Sequence, residues 1–266
     1  MDHVHHFDLG SWLVVFAYLT SAVGCTIGLA CTPIARRAPT EVGRIGWLGL
    51  AALSIGGVGI WLMHFIAMLG FTTPGMPIRY DVGRTAFSAL LAVAAVFAGL
   101  LVFGARRAYS WWRLVLGGVL TGFAVALMHY SGMWALNIKG SISYDPGLVA
   151  LSVVIAVVAA TAALWFTVAT DRWWLRLLAG AVMGMAVTGM HFTGMAAVRV
   201  HLDMTAPAPA GAEVFTFLLP VFVVAALALA GPISAVLMAN PADDKDPAGP
   251  AARPAEPIGA AGRGTT

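Results

Sequence analysis

Long apolar runs alternate with short polar segments along the whole chain, and this pattern predicts seven membrane-spanning helices. About 20 consecutive apolar residues are enough to cross the hydrocarbon core of a bilayer as a helix. In lipid the backbone must satisfy its own hydrogen bonds, so such runs form helices. The runs lie at about 11–31, 46–71, 83–103, 113–136, 147–169, 176–198 and 213–238. We therefore predict an all-α membrane protein.

The composition excludes a soluble globular protein. Of the 266 residues, 60% are apolar and only 10% are charged, whereas roughly a quarter of the residues of a soluble domain are charged. Residues 1–10 form a His-rich amino-terminal segment, and residues 11–238 hold the seven helices. Residues 239–266 are rich in Ala, Pro and Gly, which predicts a disordered tail.

The basic residues predict the orientation in the membrane. Most of the 15 Lys and Arg residues lie after odd-numbered helices, and such loops mark the cytoplasmic side. The amino terminus is therefore expected outside and the tail in the cytoplasm. Residues 1–10 contain no Lys or Arg, so the first run is interpreted as a retained helix and not as a signal peptide. The net charge of +3 reflects this topology and gives no reason to expect nucleic-acid binding.

Two short motifs recur three times, which indicates an internal repeat. An aromatic-Asp-x-Gly sequence precedes the first, third and fifth helices, and the hexapeptides MHFIAM, MHYSGM and MHFTGM stand near the ends of the second, fourth and sixth. The repeats are three helical hairpins at about 7–71, 80–136 and 144–198, and the seventh helix lies outside them. The motif carboxylates Asp8, Asp81 and Asp145 are expected at the outer rim, where they cap helices or attract a cation.

Each hexapeptide places a His on the same helical face as a Met and a Gly. At about 100° per residue, the Met four positions after the His and the Gly seven positions before it share its face. These residues are His64, His129 and His191, Met68, Met133 and Met195, and Gly57, Gly122 and Gly184, with Gly118 and Gly180 continuing the stripe. Small residues let membrane helices approach closely, so this face is expected inside the bundle. The preceding residues Met63, Met128 and Met190 point to one side.

The chemistry of these side chains favours copper. An ionisable side chain inside a membrane span marks a functional site by default. Imidazole and thioether groups together suit copper, particularly Cu(I), better than Zn, Mg or Ca. A lone Met or His is usually a packing residue, but the pair recurs at equivalent positions. A possible accessory Cu(II) site consists of His3, His5 and His6, because a His at the third position can complete a square-planar set of nitrogens.

At the hexapeptides the chain resembles the MHYT family of bacterial integral membrane sensor domains, over about residues 7–238. The aromatic residue is Tyr only in the second copy, and the hydroxyl residue after it is missing from the first. These positions are Phe65, Tyr130 and Phe192, followed by Ile66, Ser131 and Thr193. The resemblance implies a seven-helix sensor of the bacterial inner membrane, proposed to bind copper and through it to sense oxygen, carbon monoxide or nitric oxide.

The resemblance leaves three functional hypotheses open. The first is a non-enzymatic copper sensor; because the tail is too short for the output domains often joined to this family, it is expected to signal to a separate partner protein. The second is a copper transporter or acceptor, and the third is a haem protein with His axial ligands. No nucleophile-base pair, phosphate loop or catalytic carboxylate pair points to an enzyme.

Overall fold

The computed structural model describes residues 12–72, 77–104, 110–169, 172–203 and 205–238. Within these ranges seven helices are long and apolar enough to cross a membrane, so the predicted fold class is confirmed. They are α1 (Trp12–Arg37), α2 (Glu41–Met68), α3 (Val82–Gly104), α4 (Trp111–Trp134), α5 (Pro146–Ala169), α6 (Trp173–Ala196) and α7 (Val214–Met238). The amino-terminal segment and the tail lie outside the described residues.

Six of the helices form a closed ring. Helices α1 to α6 pack against one another in sequence order, and α6 also packs against α1. The hexapeptide helices α2, α4 and α6 are more buried than the other three helices of the ring. Helix α7 packs outside the ring against α1 and α2, and α2 is the most buried helix of all. The ring therefore turns its three hexapeptide helices toward a common centre.

Helix α1 continues through a proline that lies beyond the end of its predicted apolar run. The predicted run stops at residue 31, whereas the helix reaches Arg37 with Pro33 inside it. Proline has no N–H, so the carbonyl of Leu29 loses its usual donor four residues later. The Thr32 hydroxyl donates to that carbonyl at 3.0 Å. This side-chain hydrogen bond allows the helix to continue in an apolar environment.

Helix α2 contains a π-helical segment, Leu53–Leu62, directly before its hexapeptide. A π-helical turn holds one residue more than an α-helical turn, and such turns are rare and concentrate near functional sites. The spacing of the packing glycines reflects the extra residue. Gly56 precedes its His by eight positions, whereas Gly122 and Gly184 precede theirs by seven. The π segment absorbs this difference and keeps His64 directed to the centre of the ring.

The repeats pack through these glycines at backbone distance. A Cβ atom on Gly56 would lie 2.6 Å from the Ala92 carbonyl oxygen of α3, and one on Gly122 would lie 2.4 Å from Cα of Val157 in α5. On α6, a Cβ on Gly184 would lie 2.8 Å from the backbone nitrogen of Ala22 in α1. Gly118 and Gly180 lie equally close to threonines of α5 and α1. Each hexapeptide helix therefore contacts the following helix of the ring with no room for a side chain.

Short strands cover the end of the bundle at which α2, α4 and α6 finish, which we call the motif end. Strand β1 (Arg79–Tyr80) pairs with both β2 (Leu136–Asn137) and β5 (Ala212–Glu213), and β3 (Gly140–Tyr144) pairs with β4 (Val198–Leu202). Tyr80 lies opposite Leu136 and Ala212. All the pairings are antiparallel, and they tie together the segments that follow the three hexapeptide helices.

Candidate metal centre

The three hexapeptide histidines meet in the centre of the ring. His64, His129 and His191 are each no more than 1% exposed. Each lies five residues or fewer from the end of its helix, which is about 7 Å at 1.5 Å per residue. The trio therefore lies just beneath the strands of the motif end.

The Nδ1 atoms of the trio point toward one another. Nδ1 of His64 lies 3.0 Å from Nδ1 of His191 and 3.2 Å from Nδ1 of His129. The three ring centroids are 5.0 to 5.1 Å apart, and each pair of rings is nearly perpendicular, with interplanar angles of 81° to 86°. Three near-equivalent imidazoles therefore surround one point with an approximate threefold arrangement.

Three neutral histidines satisfy this geometry only in part. Each Nδ1 of a neutral imidazole carries either one proton or one in-plane lone pair. His64 lies within hydrogen-bond distance of both partners, but its Nδ1 can make only one well-directed hydrogen bond. Of the three Nδ1 atoms that face the centre, at least two therefore present the same group to it, either both a proton or both a lone pair. A cation at the centre removes this conflict because it attracts all three lone pairs.

The spacing suits a metal ion. Imidazole nitrogens bind a metal such as zinc at about 2.0 to 2.1 Å, and three such ligands in tetrahedral or trigonal geometry lie about 3.3 to 3.6 Å apart. The observed separations of 3.0 and 3.2 Å need only a small expansion to reach this range. The residues present therefore fit a single metal held by three Nδ1 atoms.

Two glycines of the hexapeptides make room for the imidazole rings. A Cβ on Gly132 would lie 2.6 Å from Nε2 of His64, and a Cβ on Gly194 would lie 2.5 Å from Nε2 of His129. Within the described residues, neither Nε2 has a hydrogen-bond partner. A buried polar group without a partner costs about 1 to 3 kcal/mol. Burial of these rings therefore lowers the stability of the fold, which indicates that the rings have a role beyond packing.

The six methionines of the hexapeptides lie within about one helical turn of the trio along their helices. All the hexapeptide methionines are buried, with exposed fractions of 3% or less. They are Met63, Met68, Met128, Met133, Met190 and Met195. Their thioethers provide a soft, apolar environment next to the imidazoles, which suits Cu(I) more than the harder cations.

The rim carboxylates that the structure describes cap helices. Asp81 accepts a hydrogen bond from the backbone N–H of Arg84, and Asp145 accepts hydrogen bonds from those of Gly147 and Leu148. The Leu148 N–H and the guanidinium of Arg199 lower the pKa of the Asp145 carboxyl. The backbone N–H groups of Asp81 and Asp145 also donate to the carbonyls of Ala135 and Ala197, which lie just after the hexapeptide of the same repeat. These residues thus join the beginning of each of these two repeats to its own end, at the motif end of the bundle.

Some residues singled out from the sequence lie elsewhere. A Cβ on Gly57 would meet only side chains at ordinary distances of 3.5 Å or more, because the π segment moves the close contact in α2 to Gly56. His3, His5, His6 and Asp8 lie outside the described residues. Sequence reasoning missed the role of Gly132 and Gly194. The signal was present, since the fifth hexapeptide position is small in all three copies.

Seven apolar helices, six of which form a ring around a buried histidine trio, define a multi-pass membrane protein with a candidate metal centre. Residues 57–117 and 122–180 match the MHYT family, described as "Bacterial signalling protein N terminal repeat". The chain belongs to this family, as the resemblance of the hexapeptides indicated. The first matched segment begins within α2 and ends in α4, and the second runs from α4 to the start of α6.

Several curated proteins contain a similar region. The chain is 42% identical over 198 residues to the bifunctional diguanylate cyclase/cyclic di-GMP phosphodiesterase MucR of Pseudomonas aeruginosa. The aligned region covers 71% of this chain and 28% of MucR. It is 34% identical to the cyclic di-GMP phosphodiesterase NbdA of the same organism, over 73% of this chain and 25% of NbdA. It is 32% identical to the signaling protein YkoW of Bacillus subtilis, over 77% of this chain and 26% of YkoW.

The chain spans about a quarter of the length of these relatives. The shared part is a sensory membrane region, and the enzymatic activities that two of the names record belong to other parts of those proteins. No solved structure matches this chain.

Proposed function

We propose that the protein is a membrane sensor that binds one copper ion through Nδ1 of His64, His129 and His191 and responds to a diatomic gas or to redox state. The observation that carries the proposal is the convergence of three buried Nδ1 atoms on one point, with separations of 3.0 and 3.2 Å where the atoms are closest. Membership of a family found in signalling proteins supports the sensory role.

Copper bound there would supply a redox-active centre with room for changes in coordination. The trio holds the ion, and the neighbouring thioethers favour its reduced form. Burial of the trio excludes bulk water and charged solutes, since each ring is at most 1% exposed. Small uncharged molecules therefore reach this centre more readily than ions do.

A change at the trio passes directly to the packing of the helices. Nε2 of His64 abuts Gly132 of α4, and Nε2 of His129 abuts Gly194 of α6. A shift of one ring therefore moves the neighbouring hexapeptide helix, which lies at backbone distance from the next helix of the ring. A signal requires that ligand binds two packings with different affinity. The π segment of α2 is the element best suited to change its packing, because it can lose or regain its wide turn.

Two other functions receive less support from the geometry. In a haem with two axial histidines, the coordinating nitrogens lie on opposite sides of the porphyrin. They are about 4 Å apart, which is twice a metal–imidazole distance of about 2.0 Å. The closest Nδ1 atoms lie only 3.0 Å apart, in contact with a third ring. For copper transport, the interior beneath the trio has an apolar lining with only two threonines, which is a barrier to an ion.

The basic loops and the family support an orientation in the bacterial inner membrane. The amino terminus and the motif end face outward, so the trio lies near the outer surface. The signal passes to a separate partner protein on the cytoplasmic side, where the basic loops lie.

Metal analysis of the purified protein tests the proposal. Protein produced in copper-supplemented cells is expected to contain one copper per chain, and each of His64→Ala, His129→Ala and His191→Ala is expected to lose it. His201→Ala is the matched control, because His201 is exposed on β4 and its imidazole hydrogen-bonds to the Ser143 hydroxyl of the neighbouring strand. Wild-type protein without stoichiometric copper, or trio variants that retain it, would refute the proposal.

A further inference from the structure

A cavity of about 50 Å³ lies inside the ring, directly beneath the histidine trio. Three of its lining residues are Ile60, Val125 and Val187. Each stands four positions, or about one helical turn, before a histidine of the trio. Met190, the neighbour of His191, lines it as well. The cavity therefore lies among the helices of the ring and reaches toward the level of the trio.

The lining is almost entirely apolar, and its polar groups are too few to hold water. A buried water makes two to four hydrogen bonds, whereas apolar cavities stay empty. The polar side chains that line the cavity are Thr121 and Thr167. The Thr167 hydroxyl already donates to the Leu164 carbonyl at 2.6 Å. The Thr121 hydroxyl has no partner within the described residues and lies against Gly99. One free hydroxyl does not stabilise an ordered water.

The size of the cavity limits its guest. An engineered apolar cavity of about 150 Å³ binds benzene or xenon, and this cavity has about a third of that volume. A benzene-sized molecule is therefore excluded, whereas a xenon atom or a diatomic molecule fits. Apolar guests of this kind also partition into the surrounding bilayer, because transfer out of water is favourable for them.

We propose that this cavity binds one small apolar molecule, such as O2, CO or NO, and presents it to the inner side of the histidine trio. The proposal deepens the sensory function and rests on it for the contact with bound metal. Occupancy of the cavity itself depends only on its shape and apolar lining. The free Thr121 hydroxyl offers a single hydrogen bond to a polarised diatomic guest.

Xenon is the probe for the test, and metal-free protein in nanodiscs is the sample. The methyl NMR signals of Ile60, Val125 and Val187 are expected to shift with xenon pressure and to saturate, as for a single site. Methyl groups facing lipid are expected to shift without saturation. The same saturable shifts are expected in copper-loaded protein if the proposed function is correct.

A filled cavity provides the decisive variant. Ala160 of α5 lines the cavity, so Ala160→Leu is expected to abolish the saturable shifts, and the milder Ala160→Val is expected to weaken them. Ala150→Leu is the control, because Ala150 lies in the same helix and is exposed. Absence of saturable shifts in wild-type protein, or their persistence in Ala160→Leu, would overturn the proposal. Saturable binding of xenon in a protein that never takes up copper would instead preserve the cavity and refute the proposed metal function.

Discussion

Substitution of Gly132 by Ala tests how tightly the helices hold the trio. Gly132 is a residue of α4, and its missing side chain makes room for the ring of His64 from α2. An added Cβ would lie 2.6 Å from Nε2, 3.2 Å from Cδ2 and 3.4 Å from Cε1 of that ring. Three atoms of the imidazole ring, Nε2, Cδ2 and Cε1, therefore contact the new methyl group.

The required displacement can be estimated from these distances. Ordinary contact begins at about 3.4 Å, so the ring must retreat by about 0.8 Å at Nε2. Metal–ligand distances in real sites hold to within about 0.2 Å, and the displacement is several times larger. Changes to residues that position a metal ligand commonly weaken binding by about 10- to 100-fold. We expect a loss of copper affinity of this size in Gly132→Ala.

Copper affinity is measured by competition with a chelator of known affinity, on protein whose folding is checked by its thermal transition. Gly189→Ala is the matched control, since a Cβ at this helical glycine meets nothing within 4 Å. It should bind copper as the wild type does and be slightly more stable, because Gly in a helix costs about 0.5 to 1 kcal/mol relative to Ala. Gly194→Ala, which displaces His129, repeats the test at a second ring. Equal affinity in wild type, Gly132→Ala and Gly194→Ala would refute the reasoning.

Three further predictions concern the π segment, the rim and the thioethers. Deletion of Gly57 should let α2 close into a continuous α-helix, so this variant should retain copper. Deletion of Ala124 in α4 should turn His129 by about 100° and abolish copper binding. An equal loss of copper in both variants would contradict the view that the π segment accommodates one extra residue. Asp145→Asn should lower the thermal midpoint by a constant amount between about pH 6 and 8. Because the folded-state pKa of Asp145 is lowered, its contribution is lost as the pH falls through that pKa, so the difference should shrink below about pH 4; a difference that persists in acid would disprove this. Met195→Leu keeps the volume but removes a soft thioether near the trio, so it should weaken Cu(I) binding more than Cu(II) binding. Potentiometry that finds an unchanged copper potential would exclude a role for this thioether.

The helices were predictable because their signal is local. Apolar length alone defines a span in lipid, and the predicted bounds of α3 and α5 differ from the observed ones by a single residue at each end where they differ at all. The end of α1 was missed because the hydrogen bond that carries it past Pro33 comes from the preceding Thr32. The strands of the motif end were not predicted, since two-residue pairings such as that of Tyr80 with Leu136 depend on contacts between segments that are distant in the sequence.

The site was partly predictable for a different reason. Repetition placed a His at an equivalent position in three hairpins, and the shared helical face directed each one inward. The position of the packing glycine in α2 was not predictable from a uniform 100° per residue, because the π segment shifts it from Gly57 to Gly56. The cavity also escaped the sequence. Its walls include Ile60 and Ala160, ordinary apolar residues that only the ring arrangement brings together.

X-ray absorption spectroscopy of the copper-loaded protein tests the central claim most directly, because it reports the number and kind of atoms bound to copper. The account predicts one copper per chain with three imidazole nitrogens at about 2.0 Å, and a spectrum that loses imidazole scattering in His64→Ala but not in His201→Ala. A copper environment without three imidazoles, or one that His64→Ala leaves unchanged, would contradict it.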